Sequence, residues 1–303
     1  MEMHQLRYFV KAAELGNFTR AAEHCLVSQP SLSQQIAKLE HELGQPVFER
    51  LARKVVLTDA GRILLEHAQT ILSLVEEVKS RIADQQQSGR GRVSVAAIPT
   101  VAPYLLPKIL KHYAARFPHA LVEIHEEVTE VAVRMCLDSE VDVILLALPL
   151  EEPQLHVETL FREELWAALP RGHALAAREQ LALEDLAEEP FILLNEAHCL
   201  TDDVLAFCRQ QSFRPKVTCR GSQLSTIQQL IALGHGVSLL PRLAVDADQT
   251  KQRVYRRLVG RPARTLVLAW NAHRYQSRLT QELIATIREC AAEQQAAIAS
   301  SAS

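Results

Sequence analysis

No charge of one sign dominates this 303-residue chain: 33 Lys and Arg face 36 Asp and Glu, for a formal net charge of −3. The N-terminal end is not basic either. Arg7, Lys11, Arg20, Lys38, Arg50, Arg53 and Lys54 are matched there by Glu2, Glu14, Glu23, Glu40, Glu42, Glu49 and Asp59. Bulk attraction to a polyanion is excluded as a driving force, so any nucleic-acid contact must come from the placement of charge. Apolar runs long enough to span a bilayer are also lacking. Met1-Glu2-Met3-His4 leads straight into an amphipathic pattern rather than a secretory leader. The expected compartment is a reducing cytoplasm, with no membrane partner. There Cys25, Cys136, Cys199, Cys208, Cys219 and Cys290 default to thiols, and any disulfide would be transient and functional. No Cys-x-x-Cys pair occurs, which argues against zinc held by His198, Cys199, Cys208 and Cys219 and against a thioredoxin-like enzyme. No metal or cofactor is expected.

What the chain does have is 48% hydrophobic and 23% charged residues, ordinary for a globular protein and enough for two domains. Leu6, Phe9, Val10 and Ala13 fall at helical spacing and predict a first helix closing near Gly16. Phe18-Thr19 opens a second, short helix with Ala21, Ala22, Cys25 and Leu26 facing inward. Ser28 can cap a third, with Pro30 in its first turn and Leu32, Ile36, Leu39 and Leu43 as its buried stripe. Its other face offers Ser31, Ser33, Gln34, Gln35 and Lys38, side chains suited to base edges and phosphates. The spacing fits a helix-turn-helix, whose DNA-contacting candidates are Ser28, Gln29, Pro30, Ser31, Ser33, Gln34 and Lys38. A hairpin over 47–58 carries Arg50, Arg53 and Lys54 at its tip, a plausible wing against the backbone phosphates. A small helical bundle with a solvated polar face fits the same pattern.

From Thr58-Asp59-Ala60-Gly61 a long helix is predicted to about Gln87. Leu64, Ala68, Ile71, Val75, Val78 and Ile82 alternate four and three apart, a narrow seam that predicts a dimer element. Packing on its own domain is the other reading. Gln85-Gln86-Gln87-Ser88-Gly89 is a linker, and from about Arg92 strands alternate with helices. Strands are predicted over 93–98, 121–126, 141–148, 155–161, 164–169, 191–194, 216–219, 237–240 and 264–270. A final amphipathic helix runs over 276–295, ahead of a small, polar, mobile tail from Ala296. The expected domains are 1–58, 59–90 and 91–303.

His198-Cys199-Leu200-Thr201-Asp202-Asp203-Val204-Leu205-Ala206-Phe207-Cys208 places two thiols nine residues apart. Thr201 can cap a helix, with Asp202 and Asp203 in its first turn and Cys199 in a polar loop just ahead. Helical rise alone then separates the two Cα atoms by roughly 13 Å. A disulfide tolerates only about 7 Å, so joining them requires the helix to unwind.

Phe18-Thr19-Arg20-Ala21-Ala22 to Ser28-Gln29-Pro30-Ser31-Leu32-Ser33, with Leu39-Glu40 and Leu57-Thr58-Asp59-Ala60-Gly61, resembles the LysR-type transcriptional regulators. The resemblance covers the whole chain. It implies an α/β protein: an N-terminal winged helix-turn-helix, a long linker helix, and a two-lobed effector domain similar to periplasmic binding proteins. Lobe I would take about 91–162 and 267–303, and lobe II about 163–266. Within that family, His198-Cys199-Leu200 with Cys208 nine residues later resembles the OxyR peroxide sensors. That resemblance implies Cys199 as the peroxidatic thiol, Cys208 as the resolving one, and reversible disulfide formation between them. It adds Thr100, Thr129, His198, Asp202 and Arg264 as groups around the peroxide. Both threonines follow strands and are expected to cap helices. Thr201 stands where OxyR commonly carries arginine, and Thr218 near a position that can be histidine. Implied partners are double-stranded DNA, hydrogen peroxide, a second or further copies of the chain (dimer or tetramer), RNA polymerase, and thioredoxin- or glutaredoxin-type reductants.

His198 and the N-terminal end of the helix would lower the Cys199 pKa, while Asp202 and Asp203 would raise it, so the sequence leaves the net shift open. Cys25, Cys136, Cys219 and Cys290 read as small buried hydrophobes. Two rivals stand beside a non-enzymatic peroxide sensor. One is a LysR-type regulator holding a small organic anion between its lobes, with the thiols incidental. The other is a thiol peroxidase that carries a DNA-binding head.

Overall fold

Local capping sets the N-terminal helices. In the computed structural model, which describes residues 1–51, 54–85 and 89–300, α1 spans Met3–Leu15, α2 Phe18–His24 and α3 Gln29–Leu43. The Asn17 side chain accepts hydrogen bonds from the Thr19 and Arg20 amides, and Ser28 accepts one from the Ser31 amide. These satisfy N–H groups that a helix start leaves without partners. Leu6, Phe9, Ala21, Ala22, Leu32, Ile36 and Leu39 fill the core between the three helices. Small alanines on α2 allow α3 to approach closely. Two expected core positions lie outside it. Leu26 is 93% exposed in a left-handed turn, because α2 ends before it, and Leu43 is 42% exposed in the last turn of α3.

Strands β1 (Phe48–Leu51) and β2 (Lys54–Leu57) form the antiparallel wing. Glu40 of α3 accepts hydrogen bonds from the Val47 and Phe48 amides, which ties the wing to the third helix. Arg53 lies outside the described residues. Helix α4 (Asp59–Gln85) starts where the Thr58 hydroxyl accepts from the Gly61 amide. Its apolar seam divides in two. Leu64 and Ala68 are buried in the core of the first three helices, whereas Val78 and Ile82 are each 56% exposed. The N-terminal half therefore packs on its own domain, the alternative that the seam left open.

These elements form one compact unit, 1–87, and 88–303 forms a second. In the second unit, β3 (Gly91–Ala97), β4 (Ala120–Glu126) and β5 (Val143–Ala147) are parallel, connected through α5 (Ala102–Arg116) and α6 (Thr129–Leu137). All five residues of β5 are buried, as expected of a parallel strand covered on both faces. The segments predicted as two strands over 155–161 and 164–169 are one continuous strand, β6 (Leu155–Pro170). Glu163 and Glu164 interrupt its apolar pattern without interrupting its backbone.

Strand β6 links the lobes. Its first ten residues pair with β12 (Ala263–Asn271), which also pairs with β5 and completes the first-lobe sheet. Its last six enter the second lobe, where β10 (Ser238–Pro241) and β11 (Arg253–Leu258) flank it. Further second-lobe strands are β7 (Gln180–Leu181), β8 (Pro190–Leu194) and β9 (Lys216–Gly221), with helices α7 (Cys199–Gln210), α8 (Leu224–Ala232) and α9 (Arg242–Ala247). The pattern gave no signal for β7, β11 or α9, which are short or, like Arg253-Val254-Tyr255-Arg256-Arg257-Leu258, charge-rich. Helix α10 (Arg278–Ser300) continues past the expected start of a mobile tail at Ala296. The Tyr113 hydroxyl of α5 donates to the Leu279 carbonyl and anchors it.

Gly61 lets the long helix lie close against the segment that enters the wing. A Cβ built there would lie 2.1 Å from the Val47 carbonyl oxygen. Gly61→Ala is expected to destabilise the first unit by about 1–3 kcal/mol, read as a lower denaturation midpoint. An unchanged midpoint would contradict this packing.

Candidate functional site

His198, in extended conformation, accepts the first helical hydrogen bond of α7 from the Thr201 amide at 2.9 Å. Cys199 is therefore the first residue of the helix and not part of a polar loop ahead of it. Thr201 is not its cap. The buried Thr201 hydroxyl donates instead to the Leu194 carbonyl at 3.0 Å and contacts that of Asn195, fastening α7 to the end of β8. The helix thus starts three residues earlier than its best capping residue suggests.

Nine residues of helix separate Cys199 from Cys208, roughly 13 Å of rise and half a turn in azimuth. The two thiols leave opposite faces. Half-buried Cys199 packs against the first-lobe core, whereas Cys208 is completely buried in the second-lobe core. All six cysteines are free thiols. Among the described residues no group of three or more His, Cys, Asp or Glu side chains is placed to hold a metal.

Beside Cys199 stand Arg264 of β12 and Thr129 of α6, and Arg264 gathers further elements around itself. Arg264 of β12 donates through Nε to Glu163 of β6 at 2.8 Å, through Nη1 to the Thr100 hydroxyl at 2.8 Å, and through Nη2 to the Thr100 carbonyl at 3.2 Å. Both charged side chains are fully buried. The second oxygen of Glu163 accepts the Leu243 amide at the start of α9 at 2.7 Å. Thr100 is an acceptor in this network and keeps its own O–H to give. It lies just before α5 and caps no helix. Thr129, the first residue of α6, does not cap either, since Val128 occupies that position. The Thr129 hydroxyl is buried, favours the Cys199 thiolate from close by, and forms no complete hydrogen bond.

Burial is the strongest influence on Cys199 and pushes its pKa up. Arg264, the Thr129 hydroxyl and the Leu200 amide oppose that rise, and Asp203 adds to it. Burial raises Cys208 to about 11. Cys199 is therefore a shielded thiol in a field that partly favours its anion, not a free thiolate. His198 is buried but is not among the groups that act on the thiol.

Of the residues expected here, Thr100, Thr129, Cys199 and Arg264 come together, and Cys208 stands behind them across α7. Asp202 is exposed and does not join them. Asp203, one residue on, takes the inward position, because the earlier helix start rotates it toward Cys199. Glu163 was missed entirely. Its only signal was an acidic pair inside an otherwise alternating strand, which reads naturally as a break.

Of the candidates on α3, Pro30, Ser31, Gln34 and Lys38 are exposed, preceded by exposed Ser28, with Gln29 and Ser33 half-buried. They form one polar face opposite Leu32, Ile36 and Leu39. Gln35 is tied inward by the buried Gln5, whose Nε2 donates to its Oε1 at 3.2 Å. Arg50 lies on β1 and Lys54 on β2, either side of the wing tip.

Comparison with known proteins agrees with both units. Residues 3–62 match the model of the bacterial regulatory helix-turn-helix protein, lysR family, and residues 86–292 match the LysR substrate binding domain. A hydrogen peroxide-inducible genes activator from Pectobacterium carotovorum subsp. carotovorum is 35% identical over 294 residues, covering 95% of this chain and 96% of that protein. Full-length OxyR from Pseudomonas aeruginosa, carrying a cysteine-to-aspartate substitution, is 32% identical with a TM-score of 0.76, covering 96% and 98% of the two chains. A cysteine-to-serine OxyR from Corynebacterium glutamicum, with hydrogen peroxide bound, is 30% identical with a TM-score of 0.65, covering 99% and 96%. A winged helix-turn-helix followed by a two-lobed effector domain, matched over nearly the whole length, makes this chain a member of the LysR family of bacterial transcriptional regulators, similar to OxyR.

Proposed function

We propose that this regulator senses hydrogen peroxide through Cys199 and converts oxidation into a change of shape by forming a Cys199–Cys208 disulfide. The observation that carries the reading is the placement of Cys199 beside the unpartnered Thr129 hydroxyl and in the field of Arg264, which holds Thr100, on a helix whose far side carries the second thiol. In the first step the Cys199 sulfur attacks one peroxide oxygen as the O–O bond breaks, and the thiol proton leaves with the departing hydroxide as water. Cys199 is then a sulfenic acid. Thr100 and Thr129 supply hydrogen bonds that hold the peroxide and stabilise charge on its departing oxygen. In the second step the Cys208 sulfur attacks the sulfenic sulfur and a second water leaves. Two thiols and one peroxide yield one disulfide and two waters.

The second step cannot occur within an intact α7, since the sulfurs face opposite lobes more than a disulfide's reach apart. Oxidation must dismantle the helix and withdraw Leu200, Thr201, Val204 and Cys208 from buried positions. Repacking of the effector units would then reposition paired DNA-binding heads on half-sites about one helical turn, or a multiple, apart. DNA contact is assigned to the exposed α3 face, to Arg50 and Lys54 of the wing, and to Arg53 between them in the sequence. The exposed Val78 and Ile82 end of α4 is assigned to pairing with a second copy. RNA polymerase and thiol reductants that reset the disulfide complete the partners, in a cytoplasmic setting. A small organic anion is the poorer fit for the site, because the Arg264 charge is already matched by Glu163 and three of its five N–H donors are engaged.

Treating the reduced protein with about one equivalent of peroxide and mapping its disulfides by mass spectrometry is expected to give the Cys199–Cys208 pair. Cys199→Ser should abolish the product and Cys208→Ser should stop at the sulfenic acid. Cys199 recovered unmodified would overturn the reading, and repeated turnover with a thiol reductant would favour a peroxidase. Glu163→Gln leaves a buried guanidinium without its counter-charge and should cost the second unit about 3–5 kcal/mol, measured by denaturant unfolding. Val78→Asp with Ile82→Asp should leave the first unit folded and abolish self-association in sedimentation, and a retained oligomer would exclude the α4 assignment.

A further inference from the structure

Among the described residues, Asp203 on the Cys199 face of α7 buries a carboxylate oxygen that no hydrogen bond satisfies. Asp203 follows Cys199 by four residues, so the two side chains stand one turn apart on the same side of the helix. Its Oδ2 is buried without a hydrogen bond. With Ala206, Phe207 and Gln210, Asp203 lines a polar cleft of about 320 Å3 whose opposite wall carries Arg162 of β6 and Arg261 of the turn before β12. Those two guanidinium groups are exposed, and the nearest acid to Arg261 is Glu164, at 4.0 Å. From β12, Arg264 attracts the Asp203 carboxylate, and Asp202 beside it repels. Since Arg264 is already committed to Glu163 and Thr100, burial prevails and pushes Asp203 up to about 6. The Asp203 charge in turn acts against ionisation of Cys199.

We propose that Asp203 sets the oxidation sensitivity of Cys199: as a carboxylate it opposes the thiolate one turn away, and as a neutral acid it ceases to. Asp203 acts through the thiol and is not itself a catalytic residue. The assignment rests on the reading of Cys199 as the peroxide-reactive group. It makes the sensor less reactive at neutral pH than its other neighbours alone would allow. Its sign follows from the thiolate being the attacking species. Below pH 6 Asp203 carries a proton and the thiolate fraction depends on burial, Arg264 and Thr129. As pH rises through 6 the new negative charge removes part of the increase that the thiol would otherwise show.

The test uses the full-length protein with Asp203→Asn, which keeps the shape and removes the charge, and Asp203→Ser as a second charge-free variant. Two rates are followed from pH 5 to 8: oxidation of Cys199 by hydrogen peroxide and its alkylation by iodoacetamide, each located by mass spectrometry. Above pH 7 both variants are expected to react about three- to tenfold faster than wild type, as for a thiol pKa lowered by half a unit to one unit. That ratio should fall toward one below pH 6. A ratio constant across pH, slower variants throughout, or different ratios for Asn and Ser would assign the effect to shape and overturn the proposal. If alkylation follows the expected profile while peroxide leaves Cys199 untouched in every protein, the Asp203 coupling holds and the peroxide reading fails.

Discussion

The ion pair between Arg264 and Glu163 is the constraint around which the effector unit is arranged. Both groups are sealed from water, and each such ion costs several kcal/mol to desolvate unless its hydrogen bonds are met. They are met from four places: β6 gives Glu163, β12 gives Arg264, the segment before α5 gives Thr100, and the start of α9 gives the Leu243 amide. The pair lies where β6 and β12 pass between the lobes, so satisfying it fixes both lobes at once. It also fixes the Thr100 hydroxyl and places a positive field beside Cys199 that is nearly balanced by its own counter-ion. A thiol in that setting is neither activated outright nor inert.

Helix α7 inherits its character from this arrangement. One face leans on the first-lobe core through Cys199, and the other is embedded in the second-lobe core through Leu200, Val204 and Cys208. The same burial that raises both thiol pKa values holds the helix wound, so reactivity and mechanical stability are linked through desolvation. A void of about 10 Å3 beneath the helix, lined by Leu193, Leu200, Val204 and Leu240 among others, leaves its underside short of full packing.

The DNA-binding unit rests on different physics. Its charge is balanced, so net attraction to a polyanion contributes little and contact depends on where charged and polar groups are placed. Caps at Asn17 and Ser28 and the Glu40 bonds to the wing position that face, and none of them depends on the effector unit.

Much of the architecture was legible in the sequence because it depends on local or periodic chemistry. Capping residues, the Leu32-Ile36-Leu39 stripe, the alternation of strands and helices after Arg92, and the nine-residue spacing of Cys199 and Cys208 all follow from neighbours in the chain. Where the pattern misled, a tertiary contact outweighed a local preference. The Thr201 hydroxyl bonds back to β8 instead of capping, so α7 begins at Cys199 and turns Asp203 inward in place of Asp202. Glu163 and Glu164 resemble a strand break until Arg264, distant in sequence, supplies the buried partner that lets β6 run on. The apolar seam of α4 carries one periodicity along its length, yet only three-dimensional packing separates its buried half from its exposed half. Sequence alone determined most of the longer elements and where the two thiols lie along the chain. Tertiary structure decided which polar groups surround Cys199 and how strongly burial suppresses its ionisation, because desolvation and ion pairing depend on neighbours brought together only by folding.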